Sequence, residues 1–494
     1  MLFNSIPFLI FFSIVYLFYW GIPKVWRKNF LLLAGIAFYS YFSYILTLHF
    51  LSVIGINYYL YRKLHASDNK DKKLITLTVT LNLINLAVFK YFYFFNRVLA
   101  DITGYPFFES VPTFVHIVLP LAVSFYSFQV IAAAVDTFRD STKPLVSIRD
   151  YFLFVAFFPV LIAGPIMRFQ DFLPNLEKLD PDRDKMYRAS YLLMLGLIKK
   201  VLVADPMSIT ISPIFANPSQ YDSFSLIMAG ICYSIQVYCD FSGLTDMARS
   251  IALYLGFEIP ENFTGPFFST SGRELWRRWH ITLSFWLRDY IYFPLGGSKL
   301  GEVRTYLNLI IIMTLGGFWH GADYTFICWG FYWGAVLAIE RFLEDGLGWK
   351  LTPTKSLPLM ILKAFFIFFL FSISGLMFRS NNATSMIDLF AGIFTHFPEE
   401  LTRYMLNDSN AWLVSATSLF GDRSLFTFSN IENLERVGYM SIALVLFHHF
   451  QYFPGYWEKF RKYDALIAPI CGVITIFLLA TLSQDGGDFI YYKF

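Results

Sequence analysis

The residues best suited to chemistry are two histidines in apolar surroundings, His320 in LGGFWHGAD and His280 in SGRELWRRWHITLSFWLRDYIYFP. Ionisable groups are costly at membrane depth, so those retained in apolar context are candidates for function. His320 ends an apolar run, with Gly316 and Gly317 before it, Trp319 beside it and Gly321 after it. Glycines admit a second backbone or a thin acyl chain, and a neutral imidazole is a base able to take a proton from a hydroxyl. The plainer reading is a helix–helix hydrogen bond. At 100° per residue, Arg273, Arg277, His280, Ser284 and Arg288 fall within about 80° of one another on a helical wheel. Such a cationic stripe can hold the phosphates of coenzyme A or of a phosphopantetheine arm by charge-assisted bonds. Alternatively the arginines snorkel to headgroups and pair with Glu274 and Asp289, while His280 is a core histidine bonded to a neighbour. Asp240 and Asp246, around Ser242 and Gly243, either line a cavity or pair with the stripe.

Positioning such groups falls to membrane helices. The chain has 494 residues, 56% hydrophobic and 15% charged, with mean hydropathy +0.51. A soluble core cannot hide that much apolar surface, so the bilayer is the expected solvent. The 20% aromatic content suits helix ends at the headgroup level, and a net charge of +3 is too small to imply nucleic acid. Cys232, Cys239, Cys328 and Cys471 lie in apolar segments without the spacing of a metal or redox motif, and read as buried, inert thiols. No metal site is expected. The first apolar run, Pro7–Ile22, lacks a basic n-region and a small-residue cleavage site, and reads as a retained helix.

About 17 to 25 apolar residues per crossing place helices near 7–22, 29–46, 47–62, 74–97, 114–136, 189–205, 223–241, 305–320, 324–341, 359–378, 437–452 and 464–484, about twelve in all. Lys24, Arg27 and Lys28, then Arg62, Lys63, Lys70, Lys72 and Lys73, mark cytoplasmic loops, whereas 98–113 and 206–222 contain no Lys or Arg; alternation works with both termini outside. Segments 151–166 and 281–296 carry the cytoplasmic mark at both ends, so they are expected to be re-entrant or in-plane elements walling a site. The polar stretch 379–436 is expected to be an extracytoplasmic loop region within a single polytopic domain, 1–494. His448 and His449 are assigned to interfacial packing at the inner end of a helix. No internal repeat is apparent, which weighs against the rival reading of a polysaccharide-precursor transporter or flippase. A third reading is a scaffold subunit.

The fragments GPIMRFQDF (164–172), VYCDFSGLTDMA (237–248), ENFTGPFFSTSGRELWRRWHITLSFWLRDYIYFPLGG (261–297), LGGFWHGADYTFICWG (315–330) and GLMFRS (375–380) resemble, in this order, the membrane-bound O-acyltransferases, and among them the bacterial alginate O-acetyltransferase branch. The resemblance runs from Leu2 to about Ser380. It implies an all-α membrane fold with a tunnel, a catalytic histidine at His320 and a second signature histidine at His280. Arg273, Arg277, Ser284, Arg288, Trp319 and Asp240 are the candidates for holding donor or substrate. No bound cofactor is implied: the donor substrate is acetyl coenzyme A or a carrier-protein acyl thioester. The implied partners are an extracytoplasmic acetyl-relay protein, a polysaccharide acceptor and membrane lipids, in a bacterial inner or plasma membrane.

Overall fold

Capping residues set where the apolar runs become helices. Ser5 accepts from the Phe8 amide, Ser43 from Leu46, Asp71 from Lys73 and Leu74, and Asp323 from Thr325; each satisfies donors that a helix start leaves unpaired. A computed structural model describes residues 1–67, 71–105, 117–140, 142, 144–348, 356–406, 431–452 and 461–482. Among these the regular structure is helical, with one isolated antiparallel bridge, Phe263–Trp279. Each of the twelve expected segments contains a helix. Among the described residues five helices are long and apolar enough to cross a membrane: Tyr44–His65, Lys72–Thr103, Ser223–Tyr254, Tyr324–Gly346 and Leu357–Arg379.

Several expectations need correction. The break between the second and third helices falls at 41–43, not after 46, because Ser43 caps Tyr44–His65 inside an unbroken aromatic run. The stretch 206–222, expected to be a loop, is helical over Asp205–Ala216. Part of 379–436 is also helical, Ala383–Leu406, while 407–430 and the basic Lys70 lie outside the described residues. Cys328 is exposed, since it sits on the outward face of its helix. Segment 151–166 holds helices Ile148–Val155 and Phe158–Leu161, of eight and four residues. At ~1.5 Å per residue neither can cross a ~30 Å core, and Phe154, Val155, Ala156, Phe157 and Phe158 are fully enclosed by protein.

The chain divides into two compact units. One comprises Met1–Gly196, Leu244–Glu261 and the helix Asp464–Leu482. Within it Asn57 and Asn82 exchange amide hydrogen bonds (3.1 and 2.7 Å) between Tyr44–His65 and Lys72–Leu86, a polar link suited to an apolar medium. The other unit, built from Leu197–Gly243 and Asn262–Tyr463, carries both candidate histidines. Its backbone is an antiparallel pair, Glu302–His320 and Tyr324–Arg341, joined by three residues. A Cβ at Gly317 would lie 2.9 Å from Gly330 Cα, one at Gly330 2.7 Å from Thr314 Cα, and one at Gly334 2.6 Å from Ile310 Cα. The two backbones therefore touch, which only glycine permits. Leu357–Arg379 packs against Tyr324–Arg341, with Trp333 Nε1 donating to Ser374 Oγ at 3.0 Å, while Leu357, Ile361, Leu362, Phe365 and Phe366 on its other face are exposed. An apolar outer face of this kind is stable against acyl chains and not against water.

Candidate active site

His320 is the last residue of Glu302–His320 and is buried. Its ring lies 5.3 Å from Trp329, edge to face, 5.3 Å from Phe378 and 5.0 Å from Trp319. It walls a cavity of about 20 Å³ whose other walls include Tyr233, Trp279, Trp329, Phe371, Gly375 and Phe378. That is room for about one water molecule, in a mostly aromatic lining. The glycines around His320 do not open space beside the imidazole. Gly317 is used for contact with Gly330, Gly321 sits against the Phe326 ring, and a Cβ at Gly316 would meet Leu287 Cδ1 at 3.0 Å.

The expected cationic stripe does not form. Its helix breaks at Trp279–His280 into Gly272–Arg278 and Ile281–Leu287, so the five residues do not share a face. His280 adopts φ 43°, the left-handed region, which strains a residue with a Cβ. Asn262 accounts for the turn: its carbonyl accepts from Ile281 N (3.1 Å), and its Oδ1 accepts from Thr282 N (3.2 Å) and Thr282 Oγ1 (2.8 Å). The bridge Phe263–Trp279 and the bond from Thr264 N to Arg278 O (3.1 Å) hold the other side.

The structure brings His280 and His320 to 6.3 Å between ring centres, with Trp319 5.9 Å from His280. His280 itself is buried against Phe241 and lies outside the five long helices. Burial lowers its pKa well below the usual imidazole value. It is therefore neutral at cellular pH.

The arginines separate by environment. Arg273 is exposed and paired with Glu344. Arg277 is exposed. Arg288 is exposed, pairs with Asp289 and lies over the Phe285 ring. Ser284 is half-buried and donates to Trp279 O at 3.4 Å. Asp240 does not meet the arginines: it pairs at 2.9 Å with Lys200, both side chains 2% exposed. Lys200 also reaches Asp205 at 2.8 Å, and the neighbouring Lys199 donates to Ser242 Oγ at 2.7 Å. Sequence reasoning did not single out these lysines. The signal that finds them is two adjacent cations inside an apolar run. They lie on a π-helical stretch, Ile198–Ala204, whose extra residue per turn seats consecutive side chains against different partners. Asp246 is buried in the other unit. His448 is fully buried, its ring stacked on Phe267 at 5.1 Å, with Nδ1 2.9 Å from Leu444 O, so it packs within the protein.

Residues 38–380 match the model of the MBOAT, membrane-bound O-acyltransferase family, and the chain belongs to that family. It is thus an O-acyltransferase of the bacterial cell membrane. Among its relatives are two proteins named "Probable alginate O-acetylase AlgI". The one from Pseudomonas putida is 36% identical over 405 residues, covering 80% of each chain; the one from Pseudomonas fluorescens is 32% identical over the whole of both. The peptidoglycan O-acetyltransferase of Helicobacter pylori is 31% identical, covering 81% of this chain and 80% of its own.

Proposed function

We propose that this enzyme moves an acetyl group from a cytoplasmic thioester, acetyl coenzyme A or a carrier-protein thioester, to hydroxyls of an extracytoplasmic polysaccharide, directly or through a relay protein. The observation that carries the reading is His320, whose imidazole walls a buried aromatic cavity within the family-matched segment. His320 takes the acceptor hydroxyl's proton as the oxygen attacks the thioester carbonyl. The C–O bond forms, the C–S bond breaks, and the proton passes to the leaving thiolate. His280 orients this pair, and the aromatic walls exclude the competing water. Arg277 and Arg288, exposed cations with Arg273 nearby in sequence, supply contacts for donor phosphates. About twelve crossings around a tunnel, with both termini outside, let a pantetheine arm reach His320 from within. The names of the relatives, which concern alginate and peptidoglycan, support a glycan acceptor.

The test is labelled acetyl transfer by purified protein with His320→Ala. Loss of transfer with retained folding is expected. Unchanged transfer would remove His320 from the chemistry, and no transfer by the wild-type protein would favour a transporter.

A further inference from the structure

The hydrogen bonds around Asn262 decide which nitrogen of His280 carries the proton. A backbone N–H only donates, so the Asn262 side-chain atom facing Thr282 N must be the carbonyl oxygen. Reversing the amide would set NH₂ against N–H. The same oxygen lies 3.3 Å from His280 Nδ1. An oxygen in that role accepts, so Nδ1 donates, and neutral imidazole then has a bare lone pair at Nε2. Nε2 is buried and takes no hydrogen bond from the protein, and the Asn262 Nδ2 is likewise buried and unmatched. An unmet buried polar atom is expensive, about 1–3 kcal/mol, and a substrate group that donates to Nε2 recovers that cost.

We infer that Asn262 is a positioning residue that locks His280 as the Nδ1–H tautomer, so that His280 serves the reaction as a hydrogen-bond acceptor at Nε2. This rests on the reading of His320 as the base. With its ring centre 6.3 Å from that of His320, His280 takes up a proton-bearing group of the reacting set, the acceptor hydroxyl or the imidazolium formed on His320. It does not donate to the thioester carbonyl. Asn262 does this from a distant part of the sequence while also satisfying the first two amides of Ile281–Leu287, so one residue sets backbone, ring orientation and tautomer together.

The experiment uses the full chain in detergent or nanodiscs with ¹⁵N-labelled histidine, the His280 signals being assigned by their loss in His280→Gln. A protonated Nδ1 and bare Nε2 are expected in the wild-type protein; a protonated Nε2, or a mixture of tautomers, overturns the inference. Asn262→Ala should mix the tautomers and lower kcat about tenfold or more with KM nearly unchanged; a pure Nδ1–H signal in that variant overturns the role of Asn262. Asn262→Asp keeps the acceptor oxygen but places a carboxylate beside the ring, which favours imidazolium. It should restore the tautomer and move the acid limb of the kcat profile to higher pH; an unmoved limb overturns the inference. The tautomer is read without turnover, so a failure of the acetyl-transfer reading, seen as full activity in His320→Ala, is distinguishable from a failure of this one.

Discussion

Gly317 ties the position of His320 to helix packing, so Gly317→Ala tests how tightly the proposed base must be held. The new methyl would stand 2.9 Å from both Cα and N of Gly330 and closer still to Phe326 O, against an ordinary contact of 3.4–4 Å. Backbone atoms cannot rotate aside as a side chain does, so the two helices must part by roughly 1 Å. His320 lies three residues on, at the end of the same helix, and moves with it relative to the Trp329 and Phe378 rings. A displacement of ~1 Å at a reacting group costs about 100-fold in rate, or ~2.7 kcal/mol of barrier. Labelled acyl transfer should therefore show kcat down about 100-fold in a protein that still purifies as a folded species. Gly438→Ala is the control: nothing lies within 4 Å of its would-be Cβ, so activity should be unchanged. A Gly317→Ala enzyme with wild-type kcat would refute the coupling between the close helix contact and His320.

Phe378→Ala removes one wall of the His320 cavity. Relative kcat/KM for a four-carbon over a two-carbon acyl donor should rise at least ~10-fold, since each methylene a pocket admits is worth ~1–3 kcal/mol; an unchanged ratio would mean that the acyl group lodges elsewhere. Lys200→Met removes the cation that faces Asp240 in a buried site and should cost ~3–5 kcal/mol in equilibrium unfolding, much of it recovered by adding Asp240→Leu. A single-variant loss below ~1 kcal/mol would show the pair to be hydrated. Arg277→Ala should raise KM for a phosphate-bearing donor about tenfold with kcat kept, and by less at high salt; a salt-independent, unchanged KM would remove Arg277 from the donor site.

Hydropathy located the helices because a crossing must be apolar over some twenty residues whatever its neighbours do. It could not locate the turn at 41–43, where AFYSYFSYILTL stays aromatic and only the Ser43 cap marks a start. The break at His280 was hidden for a related reason. Neither glycine nor proline signals it, and the cause is Asn262, eighteen residues earlier, whose bonds to Thr282 and His280 are tertiary. A helical wheel therefore drew a stripe through residues that face different ways. Both histidines were legible from polarity in apolar context, and so was Asp240, but not its partner. The partner comes from a π-helical turn, which leaves no mark in composition. Glycines near His320 announced close approach without saying by what, and the answer is a second backbone.

The Lys200–Asp240 pair also has a consequence for how the protein is made. Asp240 lies within Ser223–Tyr254, whose most apolar window is 78% enclosed by protein, and a lone carboxylate at the centre of a nascent helix adds about 3 kcal/mol to leaving the translocon for lipid. Lys200 emerges first, on the earlier stretch Ile198–Ala204, with Asp205 already beside it. With Lys199 alongside, the two segments balance two cations against Asp205 and Asp240 and can enter the bilayer as a neutralised hairpin. Synthesis order thus delivers the cation before the anion that needs it, and a chain cut between them would leave a buried lysine in place of a membrane-ready helix.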